Sequence, residues 1–401
     1  MPSPDSPPDR PPGGHVLLAP DRFKGSLTAP EVARHLASGL RRARPEVPIV
    51  ELPVADGGDG TAEAAIAAGW RRVEVEVRGP TGRPVTASLA LDGRDAVVEV
   101  AEASGLRRLP GGKPRPLSAT SLGTGQLLAH ALRLGARRIV LGVGGAACTD
   151  GGAGLVQGLG GRLLDALGKE LPPGGAALRS LHRLDLRGMP DLTGVRVIVA
   201  GEPEGTLLGR NGSAVGQARR RGASREEIRL LDAGLRRWAD LAEAASRTSA
   251  RDLPGAGAAG GVGFAALTFL GATLEPGIAL MLDLLGFPAK ARGARLVVTG
   301  EGTLDAASLR GKAPVGVARA AARAGAPVVA AVGRRGLTGE QARKARFQAV
   351  YALTDIEPDA ARCMRQAGPL LEQLTVAIAD EWLPPPRHAA RPRPANPEGP
   401  S

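Results

Sequence analysis

Apolar and polar positions alternate along this chain in two ways. Short runs rich in Val, Ile and Leu recur at 16–19, 49–54, 72–77, 85–91, 96–100, 138–142, 195–200, 295–299, 328–332 and 349–353. Between them lie longer, alanine-rich stretches with apolar residues three and four positions apart, at 29–44, 62–68, 122–134, 224–245, 275–285, 313–324 and 359–382. The first pattern predicts strands and the second predicts helices. Strand and helix in turn predict an α/β protein with mostly parallel sheets. The stretch 72–100 departs from this. Three strand patterns follow one another there, separated by Gly79-Pro80-Thr81-Gly82 and Asp92-Gly93, which predicts local antiparallel pairing. The expected architecture is a doubly wound, mostly parallel domain, 15–70 plus 292–383, with a second α/β domain, 71–291, inserted in it. Residues 1–14 and 384–401 are rich in proline and polar residues and read as disordered tails.

Composition narrows the function classes. A chain of 401 residues has room for two domains. Aromatic residues make up 2%, so the core must rest on Ala, Leu and Val, and aromatic platforms for nucleic-acid bases are not expected. The net charge of +12 comes mainly from arginines spread through helical stretches such as Arg219-Arg220-Arg221 and Arg236-Arg237. These read as solvated faces rather than as a nucleic-acid footprint. Cys148 and Cys363 make no disulfide framework, and Cys148, with no histidine near it in sequence, reads as a packed, inert thiol. The five histidines, His15, His35, His130, His182 and His388, are too scattered for a zinc-ligand motif. No apolar run approaches the ~20 residues that span a bilayer, and the N-terminus lacks a signal-peptide core. A soluble, cytoplasmic protein without membrane or nucleic-acid partners is expected.

The candidate chemistry lies in loops that follow predicted strands. Ala55-Asp56-Gly57-Gly58-Asp59-Gly60-Thr61 puts two carboxylates in a glycine-rich turn between a strand and a helix. In α/β folds that turn lies at the carboxyl edge of the sheet, where ligands bind. Lys24 and Ser26 follow the first strand, and Lys24 would stand just before a helix capped by Ser26 or Thr28. Ser121 and Thr124 open another helix, whose start can hold an anion or can simply be capped. Gly144, Gly145 and Asp150 lie in a second acidic glycine loop, with its own Asp-Gly-Gly. Gly300, Glu301 and Asp305 follow the strand at 295–299, and Lys312 precedes a helix. The stretch Gly255 to Gly263 spells a dinucleotide fingerprint but has no preceding strand, so that reading is rejected. Carboxylates, lysines and helix starts gathered at strand ends are the groups that phosphoryl transfer uses.

Together these stretches resemble the glycerate kinase family. The resemblance rests on Ala-Pro-Asp-x-Phe-Lys-Gly-Ser at 19–26, Ala-Asp-Gly-Gly-Asp-Gly-Thr at 55–61, Gly-Pro-Thr-Gly at 79–82, Ser-x-Gly-Thr-Gly at 121–125, Thr-Asp-Gly-Gly-Ala-Gly at 149–154, Gly-Ala-Ala-Gly-Gly at 257–261, Thr-Gly-Glu-Gly-x-x-Asp at 299–305 and Gly-Lys-Ala-Pro at 311–314. It implies phosphorylation of D-glycerate by ATP with Mg²⁺, in a cleft between the two α/β domains. Within it, Asp56 and Asp59 are expected to hold Mg²⁺ or act as base. Lys24 and Lys312 would bind phosphate or the substrate carboxylate, and Asp150 would orient the hydroxyls. Glu301 and Asp305 would line the nucleotide side, with Ser26, Ser121, Thr124, Gly144, Gly145 and Gly300 as further binding residues. The chain departs from the family pattern at Gly201-Glu202-Pro203-Glu204-Gly205-Thr206-Leu207-Leu208-Gly209, where an aspartate and an asparagine are usual and where Glu202 and Glu204 could substitute. It departs again at Arg22 and Ala146. The alternative implied by these departures is a member that binds an organic acid or nucleotide in a regulatory role. A monomer and a homodimer both remain open.

Overall fold

The structure is a computed structural model and describes residues 14–202 and 205–384. Both tails expected to be disordered, and Pro203 and Glu204, fall outside the described residues apart from Gly14 and Pro384.

Two sheets organise the chain. The first has five strands, all parallel, in the spatial order Ala349–Ala352, Val328–Val332, Leu296–Thr299, Val16–Leu18, Ile49–Glu51. The second has six strands, in the order Thr273–Glu275, Arg196–Ala200, Arg138–Gly142, Asp95–Glu99, Pro84–Asp92, Arg71–Arg78. Its first four strands are parallel, and the last two pair antiparallel, as the turns at 79–82 and 92–93 predict. The mostly parallel α/β expectation therefore holds. The strands support the division into 15–70 plus 292–383 and 71–291, which we propose as the chain's organisation.

The inner parallel strands are apolar on both faces, and the pleat sends alternate residues to different cores. In the first sheet, Val16, Leu18, Val298 and Val329 face one core, which the helices Ala29–Ala43 and Ala367–Trp382 cover. Leu17, Val297, Val328 and Ala330 face a second core. That second core also takes Val97, Val140 and Ile198 from the other sheet. Between them sits a shared layer of helices, Thr61–Ala67, Gly277–Leu284, Phe287–Ala291 and Ala313–Arg323. The far face of the second sheet (Val98, Ile139, Leu141, Val199) packs on Leu122–Arg133, Arg225–Ser246 and Ala258–Phe269. The molecule is thus five layers deep, helix and sheet in alternation.

Three sequence expectations are corrected. The helix expected over 359–382 is two, Ala360–Arg365 and Ala367–Trp382. Pro369 lacks the N–H that a helix interior needs, so the second helix must begin within a turn before it. The stretch at 275–285 starts as a strand, Thr273–Glu275, and Pro276 delays the helix to Gly277. Arg221 does not belong to a solvated face. Its guanidinium turns inward, donating to the Cys148 carbonyl and, at 3.3 Å, to the Thr149 hydroxyl.

Candidate active site

In the first sheet, Val16–Leu18 leads through a helix to Ile49–Glu51 on one side, while Leu296–Thr299 leads to Val328–Val332 on the other. The direction in which successive strands are added reverses between Val16–Leu18 and Leu296–Thr299. At such a switch point the two outgoing loops diverge and leave a crevice. A cavity of about 440 Å³ opens there and runs along the carboxyl edge. The loop walls are pinned by backbone bonds between strand extensions: Asp21 N donates to the Gly300 carbonyl at 2.8 Å, and Val54 N to the Pro20 carbonyl at 2.9 Å.

Of the residues singled out in the sequence, Lys24, Ser26, Asp56, Asp59, Glu301, Asp305 and Lys312 line this cavity. Thr28, not Ser26, caps the helix after Lys24, its hydroxyl accepting from Glu31 N. The Ser26 hydroxyl instead donates to the Met364 carbonyl at 2.6 Å. Lys312 is the N-cap position of Ala313–Arg323. Asp21, Arg22, Thr303 and Arg334 also line the cavity; the sequence marks Arg22 as a departure and Asp21 only as part of the stretch at 19–26, with no role given to it. Asp21 follows the first strand as directly as Asp56 follows the second, so the strand-end rule could have found it.

The electrostatics divide the acids into two groups. Burial raises Asp21 well above the usual carboxylate range, and the charges of Asp56 and Glu301 add to this. Burial likewise pushes Glu301 up to about 7. The Ser308 hydroxyl and the Lys312 ammonium oppose that rise, while Asp56 and Asp305 assist it. Glu301 Oε1 is buried without a hydrogen-bond donor. These acids repel one another, and the charges of Lys312 and Arg22 offset burial only in part. Asp59 differs. Burial alone would raise it, but a hydrogen bond from the Arg22 guanidinium and the charge of Arg107 hold it below the usual range. Arg107 stands 3.1 Å from Asp59 Oδ1, close enough for charge attraction but not aligned as a hydrogen bond.

Glu99, which the sequence reading passed over inside an apolar strand, fixes the Asp56–Asp59 loop. It ends the strand Asp95–Glu99 of the second sheet and is 1% exposed. Its oxygens accept from Gly60 N at 2.8 Å and Ala62 N at 3.1 Å, satisfying free N–H groups at the start of Thr61–Ala67. Burial pushes it up to about 7, against those two bonds and with Asp59 adding to the rise. Gly57 (φ +85°) lets the loop approach the second sheet, since a Cβ there would lie 2.4 Å from the Ala200 carbonyl oxygen. Gly144 approaches the same loop, a Cβ on it falling 2.5 Å from Gly58 Cα.

Asp150 lies elsewhere. It is 1% exposed and accepts from Thr120 Oγ1 (3.2 Å), Ser121 N (2.8 Å), Gly152 N (3.2 Å) and Gly154 N (3.3 Å). Ser121 Oγ also donates to it, and Thr124 Oγ1 donates to Ser104 Oγ at 3.0 Å. This placement does not fit the expected role of orienting substrate hydroxyls. Gly144, Gly145 and Gly300 serve close packing against Gly58, Asp59 and the Ala331 carbonyl rather than lining the cavity. Cys148 is wholly buried and its thiol is pushed up by burial, in keeping with an inert role. Glu202 reaches the turn before Lys312, where a Cβ on Gly311 would lie 3.1 Å from its Oε1. The chain around 201–209 thus borders the site, while Glu204, its other candidate substitute, lies outside the described residues.

No helix among the described residues is long and apolar enough to cross a membrane, and no group of three or more His, Cys, Asp or Glu side chains among them forms a metal cage. Comparison with known proteins agrees on one family. The glycerate kinase family profile matches residues 16–383. A glycerate kinase from Bacillus subtilis (strain 168) is 42% identical over 79% of this chain and 84% of its own. A glycerate 2-kinase from Escherichia coli (strain K12) is 43% identical over 79% and 84%. A solved structure from Salmonella typhimurium LT2, assigned to glycerate kinase 2, superposes with a TM-score of 0.77 at 38% identity, covering 92% of this chain and 99% of that one. A profile that spans the strands, the switch-point crevice and the loops around it makes this chain a kinase and a member of the glycerate kinase family.

Proposed function

We propose that this protein transfers the γ-phosphoryl group of ATP to a hydroxyl of D-glycerate, with Mg²⁺, in the crevice at the carboxyl edge of the first sheet. The observation that carries the reading is the convergence of Asp21, Asp56 and Glu301 with Lys24 and Lys312 on one cavity. Lys24 and Lys312 are the compact cations that hold phosphate oxygens. Asp21 and Glu301 fit a hard cation: their mutual repulsion and the orphaned Glu301 Oε1 are what a divalent ion relieves. Mg²⁺ takes one or two carboxylates and leaves its remaining positions to water and phosphate, so the absence of a three-carboxylate cage is compatible with it. When bound, the ion neutralises the charge of the phosphates.

Asp56 then stands where the crevice meets the second sheet and accepts the proton of the attacking hydroxyl. Arg22 and Arg107, held by Asp59, supply the positive charge for the carboxylate of the acid. This differs from the assignment of the metal to Asp56 and Asp59, because the oxygens of Asp59 already face two guanidiniums. The name of the Escherichia coli relative favours the 2-hydroxyl as acceptor.

The test is a coupled ATP-consumption assay with Mg²⁺ and D-glycerate, beside L-glycerate and no acid, with the product resolved as 2- or 3-phosphoglycerate. Turnover with D-glycerate alone is expected. Silence with D-glycerate in a protein that binds ATP would overturn the reading in favour of a binding role.

A further inference from the structure

The cavity is longer than a three-carbon acid needs. In strand order its walls come from the loop after Ile49–Glu51 (Asp56), the loop after Val16–Leu18 (Asp21 to Lys24), the loop after Leu296–Thr299 (Glu301 to Thr303), then Gly333, then Leu353 and Thr354. That is the full width of a five-stranded sheet, roughly 19 Å at ~4.8 Å per strand. Its chemistry changes along the way. All of Asp21, Asp56 and Glu301 lie at the end near Val16–Leu18. The other end is walled by Leu353, Cys363 and Ala367, which are themselves buried in an apolar core, with Arg334 beside them.

Met364 completes that apolar end and is unusual. It is 52% exposed, although large apolar side chains are otherwise mostly buried in this protein. It lies on Ala360–Arg365, the short helix that lines the cavity beside Thr354. Its carbonyl accepts the Ser26 hydroxyl, and a Cβ on Gly25 would lie 3.3 Å from its Cε. The thioether therefore stands over the cavity, joined to the loop that carries Lys24.

We propose that this apolar end is the seat of the nucleobase of the nucleoside triphosphate, with the phosphates directed along the sheet edge toward Lys24 and Lys312. The inference rests on the kinase reading above and adds the direction in which the nucleotide lies. An aromatic base gains by leaving water for apolar walls, and a methionine sulfur against a ring adds to that gain. Thr354 offers one hydroxyl to a base edge. The reverse direction would bury the ring among three carboxylates and set the triphosphate against the apolar walls of Leu353 and Cys363, where Arg334 is the cation at hand and Lys312 is left to the ring. The acid is then left the side of Asp59 and Arg107, at the second sheet.

The test uses Ala360→Trp, which places an indole at the mouth from an exposed position, and Met364→Ala. Binding of ATP and of inorganic tripolyphosphate is measured by calorimetry, and KM for ATP and for D-glycerate by assay. Ala360→Trp is expected to weaken ATP at least 10-fold and Met364→Ala about 3-fold. Tripolyphosphate binding and the KM for D-glycerate should stay within 2-fold. Lys312→Ala should weaken ATP and tripolyphosphate together. Unchanged ATP binding in both mouth variants, or a rise in the KM for D-glycerate instead, would overturn the inference. Wild-type protein that shows the expected ATP pattern but never phosphorylates D-glycerate would sink the proposed substrate and leave the nucleotide's direction standing.

Discussion

Two loops in this chain are written almost alike. Asp56-Gly57-Gly58 and Asp150-Gly151-Gly152 each follow a parallel strand of a sheet and precede a short helix entered through a left-handed glycine, Gly60 in one and Gly152 in the other. Their carboxylates do opposite things. Asp56 lines the cavity, and among the described residues it accepts only the local turn bond from Gly58 N at 3.2 Å. Asp150 is sealed by Thr120, Ser121 and the N–H groups of its own helix start. The difference lies outside both loops. A hydroxyl pair sits against the second, while the first meets a crevice left by the switch of strand order. Trp238 also closes the second loop, donating to the Gly151 carbonyl at 2.9 Å. A motif of acids and glycines therefore specifies a turn at a strand end, and the topology around it decides whether that turn binds a ligand or caps a helix.

The contrast can be broken most severely at Asp56. Asp56→Asn should lower kcat with D-glycerate by ~10³, about 4 kcal/mol on the barrier, for loss of a positioned proton acceptor. Its unfolding midpoint in urea should match wild type. Asp150→Ala should do the reverse: a loss of ~3 kcal/mol in denaturant unfolding, as several buried donors lose their acceptor, with kcat of the folded enzyme kept within 3-fold. If Asp150→Ala instead abolished turnover in a fully stable protein, the division between the loops would fail.

Glu99 sharpens the comparison next. It is the acid that the first loop borrows from the second sheet. With its carboxyl raised from the usual range to about 7, the folded protein keeps a proton that the unfolded chain releases. Stability should therefore fall as pH rises from about 4.5 through 7, by up to ~3 kcal/mol. Glu99→Gln, with no proton to lose, should flatten this, as denaturation at pH 5, 6, 7 and 8 would reveal. The smallest effect is expected at Gly60, whose left-handed φ of +101° faces open space. Gly60→Ala should cost only the strain of that backbone, ~1 kcal/mol by urea unfolding.

Much of this was legible in advance. Strands and helices fell within a residue or two of the apolar runs at 138–142, 328–332 and 122–134, because parallel strands buried on both faces carry continuous apolar sequence. Lys24, Asp56 and Glu301, which line the cavity, were picked out by one rule, that candidate groups follow strands, and Lys312 by its place before a helix. The same rule picked out Asp150, which does not line that cavity, since it sees strand ends but not which sheet edge bears the crevice. Arg107 left no signal at all, being drawn to Asp59 from a distant loop of the second sheet. Glu99 left one, a lone acid closing an apolar strand, which reads locally as an ordinary strand end.

The helices shared by both sheets carry a last consequence. Ala62 and Ala65, Ile278 and Met281, and Val315 and Val317 belong to one continuous core that takes in strands from both halves. Neither half can be melted or excised without baring that layer to water. A calorimetric scan should accordingly record one endotherm whose van't Hoff enthalpy equals the measured one. A protease that nicks a connecting loop should leave two fragments that stay together. What the strand order divides into two, the heat capacity counts as one.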